Sequence, residues 1–507
     1  MTQGISSERQ RKSIWVSDTA LLIYVALATV IAHWATGNRY GFQRDELATL
    51  DDARHLDWGY VAYPPITPLF GRFSLNLFGT SLAGFRFFAA VAQAVAVVLT
   101  GLMARQLGGR RGAQLLAAFA ALPFCIGGGA LMQYVSFDYL CWVSAAYFVV
   151  KLLTTDDSRW WLAIGAAIGF GLQSKYTMVF FAIGIAAAVL LTDARRFLKS
   201  KWLWSGVALC VAIFLPNLIW QAGNHFISLE FLNHIHARDV RMGRAKNFLP
   251  AQLEIALFGF VVFFTGLYFT LLVRDGKRYR MLAWMYLVPL ALFVIAKGRA
   301  YYLAGAYPML YAAGSVRIEQ LFSLLGKGGR ASLRTLLWFF VIADVAIAAS
   351  VSLPIAPVSS PWAQRAFKIN GDYREEIGWP ELVETIAKIR DSLPAEDRAN
   401  VGIFASNYGE AGAVSLYGPQ YGLPRVISGV NSFWQRGYGE PPPEIVIAVG
   451  EHLDYLQENF ESCYLAAHSW NRFGIENEET SDHPDIFVCR HLRTPWPIFW
   501  KSHRHFG

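Results

Sequence analysis

The sequence predicts a mainly α, polytopic transmembrane protein of about eleven helices, closed by a soluble C-terminal α/β domain. Three observations predict it. The 507-residue chain is 54% hydrophobic and only 16% charged, against roughly a quarter charged in soluble proteins. Apolar stretches long enough to cross a bilayer recur between Thr19 and Leu353. Between them, Lys and Arg gather in short clusters, the pattern of cytoplasmic loops. The formal net charge of +8 therefore reads as topology, and no nucleic-acid partner is expected. A signal peptide accounts for only the first apolar stretch. Repeated spans such as Trp202–Trp220 and Leu253–Val273 speak against the core of a soluble enzyme.

The predicted helices lie near 18–36, 82–104, 112–129, 135–153, 160–173, 176–192, 202–221, 251–273, 281–296, 301–317 and 333–353. Six basic clusters flank them: Arg9/Arg11/Lys12, Arg105/Arg110/Arg111, Lys151/Arg159, Arg195/Arg196/Lys199/Lys201, Arg274/Lys277/Arg278/Arg280 and Lys327/Arg330/Arg334. Placing all six inside gives a cytoplasmic N-terminus and, with an odd number of crossings, an external C-terminal domain. The expected division is 1–353 for the transmembrane part and 354–507 for the periplasmic domain, in the cytoplasmic (inner) membrane. Within 354–507, Glu381–Ser392 has helical spacing, and Val401–Ala405 and Ile445–Val449 read as buried strands. Cys125, Cys141 and Cys210 fall in apolar spans. Cys463 and Cys489 fall in the external domain, where a disulfide is permitted.

The outer side carries the candidate chemistry. A loop over 37–80 contains Arg44-Asp45-Glu46, Asp51-Asp52 and Tyr60-Val61-Ala62-Tyr63-Pro64-Pro65. A carboxylate pair just outside a membrane helix can act as general base or metal ligand; equally, these acids can offset Arg39, Arg44 and Arg54 in a solvated loop. Lys175 sits between two spans, and Lys297 and Arg299 precede Tyr301 and Tyr302. These cations break the positive-inside pattern, and they suit a lipid-linked phosphate as well as lipid headgroups. A second loop, 222–250, carries His234, His236 and a basic amphipathic stretch. The two histidines find no third metal ligand at a fitting spacing.

Taken in order, these segments resemble the GT-C superfamily of membrane glycosyltransferases. The resemblance is to the bacterial family 39 type, related to protein O-mannosyltransferases and to aminoarabinose lipid A transferases. It rests on Asp45-Glu46, Gly59-Tyr60 with Pro64-Pro65, Phe85-Arg86, Ala104–Gly109, Ser174-Lys175-Tyr176, Lys297–Tyr302 with Tyr307-Pro308, Asn407–Ala413, Tyr417-Gly418-Pro419 and Gly422-Leu423-Pro424. The resemblance implies an inverting transfer of a sugar from a polyprenyl-phosphate donor to a glycolipid, polysaccharide or protein acceptor. It implies Asp45, with Glu46, as the catalytic carboxylates. Lys175, Lys297 and Arg299 then bind the phosphate, and Tyr63, Tyr301 and Tyr302 line the substrate site. Relatives often carry an acid before the Pro-Pro pair, where this chain has Ala62-Tyr63. That departure weakens the case for a bound metal, so no metal ligand is assigned, although a divalent ion stays open. A transporter of lipid-linked sugars and a membrane scaffold are the competing readings.

Overall fold

The computed structural model describes residues 15–507 and divides into two compact units. Of the described residues, one comprises those up to Ala35, Arg86–Ala222 and His236–Leu353; the other comprises Thr36–Phe85, Gly223–Ile235 and Pro354–Gly507. The first outer loop thus belongs to the same unit as the C-terminal residues. The basic cluster Arg9/Arg11/Lys12 lies outside the described residues.

All eleven expected membrane segments are helical, but they are not equal. Among the described residues, eight helices are long and apolar enough to cross a membrane, or nine if one bent pair forms a single span. Trp160–Leu172 has 13 residues and so extends only about 20 Å, short of a bilayer core of about 30 Å. Met178–Leu191 turns by 102° into Asp193–Lys199, at Thr192, whose extended backbone and side-chain bond to the Ala194 N–H start a new turn. The segment expected at 301–317 begins as the 3-10 turn Ala300–Ala306 and becomes α-helical only over Tyr307–Leu324. Pro308, at the first turn, fits a helix start there. Helix Lys201–Gly223 exposes Trp204, Val211 and Ile219, and Lys327–Ser352 exposes Leu336, Phe339 and Ile342. Apolar surface on this scale is unfavourable in water and favourable in lipid. The protein is a multi-pass membrane protein.

Close helix packing in this first unit depends on small residues. A Cβ on Gly266 would come within 2.0 Å of the Leu310 carbonyl oxygen, and one on Gly314 within 1.9 Å of that of Val262. Gly165 meets the Gly206 carbonyl in the same way, at 2.0 Å. Larger residues there would force the helices apart.

The second unit holds a five-stranded sheet: β1 Val401–Ala405, β2 Val426–Ile427, β3 Ile445–Val449, β4 Phe460–His468 and β5 Asp485–Leu492. The order is β2-β1-β3-β5-β4. β1 pairs in parallel with β2 and β3, and β5 runs antiparallel to β3 and β4. Both expected strands are present and pair directly, Val401 opposite Ile445, and the expected helix spans Trp379–Ser392. Phe404, Val446, Phe460, Phe499 and Trp500 form the core on one side of the sheet. Cys463 and Cys489 face each other across β4 and β5 and form a disulfide. The loop over 37–80 is largely helical, as Arg44–Arg54 and Ile66–Phe78. The first of these packs on helix Tyr408–Tyr417, where Gly412 lets the Leu47 backbone approach.

Candidate active site

In the second unit the chemistry starts from helix Arg44–Arg54. Its start is closed by a capping box: the Gln43 side chain accepts from the helix N–H groups, and Glu46 Oε2 accepts the Gln43 N–H at 3.0 Å. Glu46, expected to share the catalytic role, is thereby fully buried and committed to holding the helix start. The neighbouring Asp45 points elsewhere. Half-buried, its carboxylate accepts a hydrogen bond from the Tyr408 hydroxyl, whose pKa is raised by burial first and then by Asp45. Desolvation and then the charge of Asp45 raise the Asp372 carboxyl. Arg44 is held by Glu478, at 3.0 Å between Nη2 and Oε1, and stacks over the Tyr408 ring.

The second carboxylate pair has a structural assignment. Arg436 bridges Asp51 and Asp52, both almost fully buried. Ser415 donates to Asp51, and the Tyr63 hydroxyl donates to Asp52 Oδ2 at 2.7 Å. Burial raises the Asp52 carboxyl to about 6, with Arg436 opposing it. Tyr63, expected to line the substrate site, thus serves here as a partner of Asp52. His234 packs against the Phe506 ring at 5.8 Å. Among the described residues, no group of three or more His, Cys, Asp and Glu side chains is arranged to hold a metal.

In the first unit the structure brings together Lys175, Tyr301 and Tyr302, and adds Tyr134 and Asp138. The Lys175 ammonium lies over three tyrosine rings, 4.8 Å from Tyr134, 4.7 Å from Tyr301 and 3.9 Å from Tyr302. The 3-10 turn before Pro308 presents the last two. Asp138 is within electrostatic reach of Lys175 and accepts from the Trp142 indole at 3.1 Å. Ring faces and a nearby carboxylate stand in for part of the water that burial removes from an ammonium. Arg299 makes a two-pronged pair with Asp239, at 2.6 and 3.1 Å. Burial works to raise Asp239, but the Arg299 hydrogen bond and the charges of Arg299, Arg244 and Arg238 leave it lowered. Lys297 is exposed on left-handed backbone, φ 49°, and is not among the groups around the Lys175 ammonium.

Asp138, Asp239, Tyr134 and Arg436 were not singled out from the sequence, and Tyr408 entered only as part of the segment Asn407–Ala413. For Asp138 a signal existed: a lone acid inside an apolar span is a functional candidate by default.

These features define a multi-pass membrane protein with a second unit built around a five-stranded sheet. The sequence matches the family model described as dolichyl-phosphate-mannose-protein mannosyltransferase over residues 62–220. It is 27% identical, over 268 residues, to undecaprenyl phosphate-alpha-4-amino-4-deoxy-L-arabinose arabinosyl transferase 1 of Pseudomonas fluorescens, covering 48% of each chain. It is 25% identical, over 295 residues, to lipid A galacturonosyltransferase RgtD of Rhizobium johnstonii, covering 55% of this chain and 61% of that one. The chain therefore spans about half of these relatives' length. The crystal structure of ArnT from Cupriavidus metallidurans bound to undecaprenyl phosphate shares the fold, with a TM-score of 0.58 over 94% of this chain and 98% of that one, at 16% identity. The fold expected from the sequence is the fold observed.

Proposed function

We propose that this protein is an inverting glycosyltransferase that moves a sugar from a polyprenyl-phosphate donor to an envelope acceptor at the outer face of the inner membrane. The observation that carries the reading is the fold shared, over nearly the whole chain, with a protein whose structure holds undecaprenyl phosphate. Both curated relatives are named as glycosyltransferases, one of them for lipid A, so a glycolipid is the first acceptor class, ahead of polysaccharide or protein.

In this reading Asp45 takes the proton of the acceptor hydroxyl, which attacks the anomeric carbon as the bond to the phosphate oxygen breaks. Polyprenyl phosphate leaves as an anion. The Lys175 ammonium, with Arg299, stabilises that charge, and Tyr301 and Tyr302 shape the site around Lys175. The C-terminal domain faces the periplasm and the N-terminus the cytoplasm. The Cys463–Cys489 disulfide supports that orientation, because such bonds persist in oxidising compartments.

The test is mass analysis of envelope glycolipids from a strain lacking the protein. Loss of one sugar from a defined glycolipid, restored by the wild-type gene, is expected. An unchanged glycolipid profile would contradict the glycolipid reading and direct the search to glycoproteins and polysaccharide.

A further inference from the structure

The second unit contains a cavity of about 400 Å³ that the transfer chemistry does not explain. Its walls come from the segment leading into the Asp45 helix (Asn38, Tyr40, Phe42), from Thr80, and from the end of helix Tyr408–Tyr417 with the turn after it (Tyr417, Gln420). No Asp, Glu, Lys, Arg or His lines it; the charges that act on its tyrosines, Glu376 and Arg39 on Tyr40 and Glu381 and Glu46 on Tyr417, stand behind the wall. Aromatic rings alternate with amides and a hydroxyl. That mixture matches a neutral sugar ring, with C–H faces against aromatic carbon and hydroxyls against amides.

Part of the wall is pre-formed. The Tyr40 hydroxyl donates to the Ala356 carbonyl at 3.1 Å, and its ring is wedged edge-on between Phe367 and Tyr373. Asn38 Oδ1 accepts the Ala83 N–H at 2.9 Å, which fixes the amide and leaves its two donors for a ligand. A fixed wall avoids the entropy of ordering on binding.

Two features place the ligand on a lipid. Asn38 follows the span Asp18–Thr36 by two residues, and the lining residue Leu82 opens the span Leu82–Gln106. The cavity wall is therefore joined directly, along the chain, to two candidate spans. It also lies beside the proposed base: the lining residue Phe42 precedes Asp45 by three residues, at the start of the helix that carries it. A neighbouring position of this kind fits a sugar next to the reacting one.

We propose that this cavity binds a neutral sugar residue of a membrane-anchored glycolipid acceptor, at a ring other than the one that is modified. The proposal rests on the transferase reading, and its test separates the two. The full-length protein in nanodiscs is examined by saturation-transfer NMR with a soluble N-acetylglucosamine disaccharide, and by transfer kinetics with the glycolipid. Thr80→Trp fills the cavity from an exposed position, and Gln420→Ala removes one amide without filling it. The expected result is saturation transfer in the wild type, lost in Thr80→Trp. The acceptor KM should rise roughly tenfold in either variant, the scale of one or two lost hydrogen bonds, with kcat and donor KM unchanged. Absence of saturation transfer in the wild type, or equal transfer in Thr80→Trp, overturns the proposal. So does equal competition by a uronic acid, which would show that charge is accepted. Wild-type protein that binds the disaccharide but shows no turnover instead counts against the transferase reading.

Discussion

Arg436 is the residue whose removal the structure prices most clearly. It sits just past the short helix Asn431–Gln435, stacks over Phe433, and reaches two carboxylates more than 380 residues earlier in the chain. Asp51 and Asp52 are 3% and 4% exposed. Arg436→Met keeps the apolar stem and removes the charge, leaving two carboxylates with no cation between them. Breaking such a buried pair costs about 3–5 kcal/mol. In a unit of this size, each kcal/mol shifts Tm by about 2–4 °C, so melting of the second unit should fall by about 10 °C. The cost depends on pH. Asp52 already titrates near 6 with Arg436 in place and can escape by protonation, so the loss should be smaller at acidic pH than near pH 8. Adding Asp51→Asn and Asp52→Asn should recover most of the loss, because the stranded charges are then gone. The assay is tryptophan-fluorescence melting of the purified protein in detergent. Melting of Arg436→Met within a degree or two of wild type, at both pH values, would refute this reasoning.

Other consequences are equally direct. Burial raises Glu410 to about 8, and Glu451 and Glu479 to about 7. Each binds a proton more tightly folded than unfolded, so its stabilisation is present at low pH and is lost as pH rises through the folded value. Melting temperature should therefore fall between about pH 5 and pH 8, with a shallower slope in Glu410→Gln; a flat or rising profile contradicts it. Reducing the Cys463–Cys489 disulfide opens a loop of 26 residues. By chain entropy that costs about 3.5 kcal/mol, read as a Tm lower by about 10 °C after reductant, and an unchanged Tm would contradict it. Lys175→Met should lower donor kcat/KM by about ten- to a hundredfold, the scale of a charge-assisted hydrogen bond. Asp138→Asn should have a smaller effect in the same direction, and normal donor kinetics in Lys175→Met would remove the cage from the phosphate site.

Much of the membrane part was legible because hydropathy over some twenty residues is a direct consequence of bilayer thickness. Hydropathy does not register a bend, however. The same apolar composition describes the unbroken helix Lys201–Gly223 and the 102° turn after Leu191. In the candidate site, Lys175, Tyr301 and Tyr302 were visible as polar groups at span ends, and they do meet. Asp45 and Glu46 were read as a pair because they are adjacent, yet a helix sends neighbouring side chains about 100° apart. One became a capping group and the other a partner of Tyr408. The link from Arg436 to Asp51 and Asp52 has no local trace, since it depends on the packing of helix Arg44–Arg54 beside helix Tyr408–Tyr417.

The central claim is that Asp45 is the base of a sugar transfer from a polyprenyl-phosphate donor. The most direct measurement is single-turnover transfer from an undecaprenyl-phosphate sugar to purified glycolipid by the wild type and by Asp45→Asn, with melting curves of both. The account predicts that Asp45→Asn loses at least about a hundredfold in rate, the usual worth of a general base, while melting and donor binding stay the same. Transfer by Asp45→Asn at the wild-type rate would contradict it.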